Sequence, residues 1–204
     1  PLRLIQRYAI RSKPEVELRI RRGRPRLFLV RTSWYGGFVL DRERTDIGYH
    51  FPDEHAAALR RELARKLREG VAPHPSQERV SRIARRIDDY WRKSGGQLAD
   101  ASPGKVEAEL FAQLQDVDSW EEFQDKKIDL NIARFVPEAE KRALDSLPNS
   151  VTLRGAKIPV HYEIEGDRGV ARLHLREPLV RRIRQRDLPD LDRPLRFSVF
   201  VGKR

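Results

Sequence analysis

Residues 147–178, LPNSVTLRGAKIPVHYEIEGDRGVARLHLREP, place apolar and polar letters where a small β-structure with tight turns needs them. Ile158, Val160, Tyr162 and Ile164 alternate with Lys157, His161, Glu163 and Glu165. That period of two marks a strand with one face buried and the other in water. Glycines at 155, 166 and 169 supply the turns. The stretch therefore predicts consecutive strands VTLRG, KIPVHYEIEG and GVARLHLRE, with 157–165 and 169–176 pairing as a hairpin.

The rest of the chain frames this region. EVELRIR at 15–21 alternates Val16, Leu18 and Ile20 with charge, GRP at 23–25 is a turn, and RLFLVRT resumes as a more buried strand. Gly36 and Gly37 break the chain before FVLDRER, giving a meander of short strands between 15 and 50. Helical patterns follow: PDEHAAALRRELARKLREG with Gly70 as its stop, SQERVSRIARRIDDYWRKSGG with a stripe of Val80, Ile83, Ile87, Tyr90 and Trp91, ASPGKVEAELFAQLQDV, DSWEEFQDKK and PEAEKRALDSLP. After the closing strands, PLVRRIRQRD reads as a basic helix and RFSVFVG as a last strand. Helices grouped between two β-regions, instead of alternating with single strands, predict an α+β fold: an N-terminal antiparallel meander, a central helical segment and a C-terminal antiparallel β-structure. The corresponding divisions are 1–72, 73–147 and 148–204, within a chain that can also form one compact unit.

Charge follows the same divisions. The 204 residues carry 42 basic and 31 acidic side chains, a net charge of +11. Residues 1–100 are net +10, 101–150 net −5 and 151–204 net +6. The basic flanks suit a polyanion and the acidic middle repels one. About three quarters of the basic residues are arginine, whose planar fork holds phosphate bidentately; the same bias also follows from GC-rich coding. The chain has no cysteine, no secretory apolar region and no apolar run of about 18 residues, a pattern expected of a cytoplasmic protein with no membrane partner. It starts at Pro1 and contains no methionine, so it reads as a piece of a longer polypeptide.

Motifs for chemistry are absent. There is no Gly-x-x-x-x-Gly-Lys-Ser/Thr loop, no Asp-Glu-Ala-His box and no Gly-x-Gly-x-x-Gly, so nothing in the letters cradles a nucleoside triphosphate. His50, His55, His74, His161 and His174 lack zinc-ligand spacing. A nuclease-like cluster of His161, Glu163, Glu165 and His174 is one reading of the 157–176 hairpin; the simpler one is that these residues form its solvated face. Basic clusters are better candidates, for nucleic-acid binding. Arg21, Arg22, Arg24 and Arg26 gather around one turn, with Trp34 and Tyr35 at the next as stacking platforms, and Arg181, Arg182, Arg184 and Arg186 form a second group. The competing reading buries Trp34 and Tyr35 in the meander and leaves the arginines as solubilising charge.

One resemblance sharpens this. Pro148, Leu153, Gly155, Ile158, Pro159, Tyr162, Gly166, Gly169, Val170, Leu173, Leu175 and Pro178 form a pattern similar to the C-terminal region of bacterial DEAH-box ATP-dependent RNA helicases. None of these positions is catalytic in that family. The resemblance implies a noncatalytic appendage that contacts single-stranded RNA or DNA beside the motor domains, with no cofactor of its own; ATP and Mg belong to the motor domains of the parent enzyme. The aromatic-rich runs expected around 40–70 are missing. The alternative is a protein-interaction module of the same assembly, presenting Trp120 and Phe123 on the acidic helices to a basic partner.

Overall fold

A computed structural model describes residues 8–13, 15–21, 24–48 and 50–201, with the backbone alone at 20, 21, 24 and 25. The fold is α+β, with an antiparallel sheet first, helices in the middle and a second sheet at the end. The chain divides into two compact units, each built from two stretches: residues 1–82 with 107–130, and 83–106 with 131–204.

In the first unit, β1 (Ile10–Arg11) and β2 (Glu15–Arg21) lie along one edge of β3 (Arg24–Tyr35), and β4 (Phe38–Gly48) lies along the other. All pairings are antiparallel. Between β1 and β2 the Ser12 N–H donates to the Thr32 carbonyl at 2.8 Å, and the Thr32 N–H donates to the Ser12 hydroxyl at 3.0 Å. The first two strands thus act as one interrupted strand of the expected meander. Among the described residues its buried apolar side chains are Leu18, Leu27 and Val30, and Thr32 is buried beside them in β3.

Helix α1 (Asp53–Glu69) packs against β2. Ala56, Leu59, Leu63 and Leu67, spaced by three and four, are buried along one face. Removing a leucine of this kind from water is worth roughly 1.5–3 kcal/mol. Asp53 and Glu54 sit in the first turn and Lys66 and Arg68 in the last, complementing the helix dipole. The helix ends at Gly70, whose N–H donates to the Leu67 carbonyl while that of Val71 donates to Lys66. The 107–130 stretch is joined to this part by an Arg60 Nε bond to the Val117 carbonyl at 2.8 Å and an Arg79–Asp129 ion pair at 2.6 Å.

Helix α2 (Gln77–Lys93) and helix α3 (Pro103–Gln113) each run through a boundary between the units. Short helices α4 (Trp120–Asp125) and α5 (Glu138–Asp145) follow, and Ser119 caps α4 by accepting from the Glu122 N–H at 3.2 Å.

The second unit holds a sheet in the order β5 (Ser150–Leu153), β6 (Ala156–Glu165), β7 (Arg168–Arg176), β8 (Leu195–Phe200). The first three strands are antiparallel and consecutive. The C-terminal β-structure is not wholly antiparallel, because β8 joins β7 in parallel, with Leu173 beside Phe197 and Arg176 beside Phe200. A parallel neighbour needs a long crossover, and residues 177–194 supply it. The basic helix expected there shrinks to the single turn α6 (Glu177–Val180) and a 3-10 turn at Gln185–Asp187. Asp187 explains the break by accepting from the Arg184 N–H at 2.8 Å, and a longer helix would stack like charges of neighbouring arginines. Leu153, Val160, Tyr162, Ala171, Leu173 and Leu175 form the core under this sheet. Of the patterned positions of 147–178, Leu153, Tyr162, Val170, Leu173 and Leu175 are buried and Gly155 and Gly166 make turns, whereas Pro148, Pro159 and Pro178 are exposed and Gly169 lies within β7 opposite Ile164 instead of in a turn.

Candidate nucleic-acid interface

The turn between β3 and β4 consists of Gly36 and Gly37 alone, at φ 57° and 85°. Two consecutive left-handed residues make the tight turn whose twist suits a hairpin, and only glycine takes that backbone freely. The turn fixes the register of the tip, with Tyr35 opposite Phe38 and Trp34 opposite Val39 on one side and Ile10 on the other. Directly opposed residues share a sheet face, so Ile10, Trp34 and Val39 line one face and Tyr35 and Phe38 the other. Leu40 is the extra residue of a bulge between these pairs and the next. All of these side chains are exposed, Phe38 to 77%. Trp34 and Tyr35 therefore do not close the core of the meander.

The face of Tyr35 and Phe38 also carries Arg11 and Arg31, neither of which has an ion-pair partner among the described residues. Asp41 and Glu43 lie on the same face of β4. This face is close to neutral, so attraction there depends on the rings more than on charge.

The basic turn lies elsewhere. Arg24 begins β3 and Trp34 nearly ends it, a separation of about 33 Å at roughly 3.3 Å per residue. Arg24 and Arg26 thus stand toward one end of β3 and Trp34 and Tyr35 at the other. Arg26 is tied to Asp46 at 2.9 Å. Arg22 and the side chains of Arg21 and Arg24 fall outside the described residues. Toward the middle of the sheet, Glu17 is bound by Arg19 at 2.8 Å and Arg44 at 3.2 Å. Burial alone would raise this carboxyl, but the two guanidinium hydrogen bonds hold it below the usual carboxylate range.

In the second unit, Arg181 and Arg182 follow α6 beside the ends of β7 and β8. Together with Arg176, Glu177, Pro178, Phe200 and Val201 they line a cleft of about 640 Å³. Arg184 and Arg186 lie outside it, around the 3-10 turn, where Asp187 pairs with Arg154 at 2.9 Å. Residue spacing could suggest Arg181 and Arg182, whereas Arg176 and Phe200 meet only through the parallel pairing of β7 with β8. No local pattern signals that pairing. Phe38 carried a signal that was legible, since a two-glycine turn places it opposite Tyr35.

The histidine and acidic residues of the hairpin do share a face, but as an ion-paired lattice. Arg172 binds Glu163 at 2.6 Å and Glu165 at 2.5 Å, and Arg196 binds Glu165 at 2.9 Å. The Arg196 hydrogen bond and then the nearby guanidinium charges hold the Glu165 carboxyl below its ordinary value. Glu165 is thus kept ionised as an acceptor, the reverse of what a general acid needs. His161 and His174 meet edge to face at 4.8 Å, and His174 lies 5.5 Å from the Phe200 ring. Among the described residues no three His, Cys, Asp or Glu side chains are placed to hold a metal ion.

The anchors of the docking alternative are internal. Trp120 is 9% exposed and Phe123 fully buried, with their rings 5.2 Å apart and His74 against Phe123 at 4.9 Å. They form core of the first unit and are not a surface on the acidic helices. Among the described residues no helix is long and apolar enough to cross a membrane. No protein-family model, curated protein or solved structure matches the chain.

Proposed function

We propose that this chain is a noncatalytic, cytoplasmic C-terminal region of a DEAH-type ATP-dependent helicase, which binds or guides single-stranded nucleic acid for the motor domains. The observation that carries the binding reading is the hairpin tip, where Trp34, Tyr35 and Phe38 expose rings on both faces of a two-residue turn. Unpaired bases stack on such rings whatever their sequence, at roughly 1–3 kcal/mol per base, and a duplex keeps its bases out of reach. Arg11 and Arg31 beside the tip provide phosphate contacts. The resemblance of residues 147–178 supports the assignment to a helicase.

Anisotropy of labelled single-stranded RNA, single-stranded DNA and duplex, each titrated from about 50 to about 200 mM salt, tests the reading, since purely ionic binding fades over that window. Preference for single strands that persists at the higher salt supports it. Equal binding to every polyanion, or none, refutes it.

A further inference from the structure

We infer that the cleft between α6 and the end of β8 seats one nucleotide of a nucleic-acid strand, with the base on Phe200 and the phosphate between Arg176 and Arg182. The inference rests on the proposed nucleic-acid binding but concerns a site in the other unit from the hairpin tip.

Three features favour this occupant. Phe200 is 58% exposed, and the register of β7 with β8 sets it directly beside Arg176 on the outer face of the sheet. Its position is supported by the His174 ring at 5.5 Å, which is in turn braced by His161. A ring held this way offers a stacking platform that needs little ordering on binding.

Charge makes the second argument. The lining has three guanidinium groups and one carboxylate, and that carboxylate, Glu177, is engaged by Arg181. Arg176 and Arg182 have no ion-pair partner among the described residues, which leaves a net positive cleft open to an anion. Guanidinium forks bind phosphate in a bidentate manner.

Size is the third. A cleft of about 640 Å³ falls within the roughly 300–1,000 Å³ of small-ligand sites, enough for a base, sugar and phosphate. Pro178 and Val201 give it apolar walls on either side of the charges.

The test is a titration of the whole chain with the tetranucleotide rU4, followed through backbone amide shifts. The inference predicts shifts at Arg176, Arg182, Phe200 and Val201, and rU4 binding at the cleft weakened roughly 5- to 100-fold by Phe200→Ala. Arg182→Glu should lower the slope of log affinity against log salt by about 1. Both side chains are exposed, so neither change threatens folding. Shifts at 34–39 with none at 176–201 would overturn the inference and leave the proposed function standing. No shift at either place would refute both. Binding of uridine monophosphate at the cleft as tight as that of rU4 would overturn the assignment to a strand.

Discussion

Gly169 and Gly95 approach so closely that a methyl group on Gly169 would stand 2.7 Å from the Gly95 Cα. Both atoms belong to backbone, so nothing can rotate aside. The patterned glycine of the 147–178 stretch is thus required by a contact with the loop after α2. Gly169→Ala should destabilise the second unit by about 1–3 kcal/mol, as overpacking does, seen as a lower urea midpoint with little change in slope. A midpoint equal to the wild type's would mean that the backbones are not in contact.

His74 predicts a dependence on pH. Its Nδ1 accepts from the Ser76 N–H at 3.0 Å, so the proton belongs on Nε2, which faces the Lys126 carbonyl at 3.2 Å. Burial pushes the imidazole below its ordinary 6.5 despite those carbonyl contacts. The unfolded chain then takes up a proton first as the pH falls. Stability from this group is complete above 6.5 and is lost as the pH drops through 6.5 toward the folded value. Urea midpoints of the first unit should fall between pH 7.5 and 5.5, and less so in His74→Gln.

Asn149 should matter more than a surface amide. Lys93 is 5% exposed and reaches Asn149 Oδ1 at 3.0 Å and Asp89 at 3.4 Å. Asn149→Ala leaves a buried ammonium short of an acceptor, at a cost of about 1–3 kcal/mol in urea unfolding.

The two ends of β3 should contribute separately to binding. Reversing Arg22, Arg24 and Arg26 to Glu should weaken all nucleic acids alike and flatten the salt dependence, while leaving the preference for single strands intact. Loss of that preference in the triple variant, measured by anisotropy on single-stranded and duplex probes, would place the stacking surface at the basic turn instead.

What sequence reveals here depends on the range of the interaction. Period-two alternation at 157–165 and period-three-and-four spacing at 56–67 are local, and the elements they predict are present. The two-glycine turn is local too, and it locates Trp34 and Tyr35 at an exposed tip. Long-range pairing is not written in this way. The parallel contact of β8 with β7 joins strands with an eighteen-residue connection between them, so the setting of Phe200 and Arg176 was hidden. The same holds for Trp120 and Phe123, since an amphipathic pattern shows which face is apolar without showing whether a partner already covers it. The sequence sets the arginines and the aromatic pair at successive turns, and it is the length of the extended strand from Arg24 to Trp34 that turns ten residues into a long separation.

The most direct measurement compares the wild type with Trp34→Ala/Tyr35→Ala/Phe38→Ala for anisotropy-detected binding of single-stranded RNA at about 200 mM salt. The three side chains are exposed, so the variant should keep its urea midpoint within about 0.5 kcal/mol of stability. The account predicts a loss of affinity of at least about tenfold, given stacking of roughly 1–3 kcal/mol per base, with duplex binding unchanged. Unaltered affinity for single-stranded RNA in a folded triple variant would contradict it.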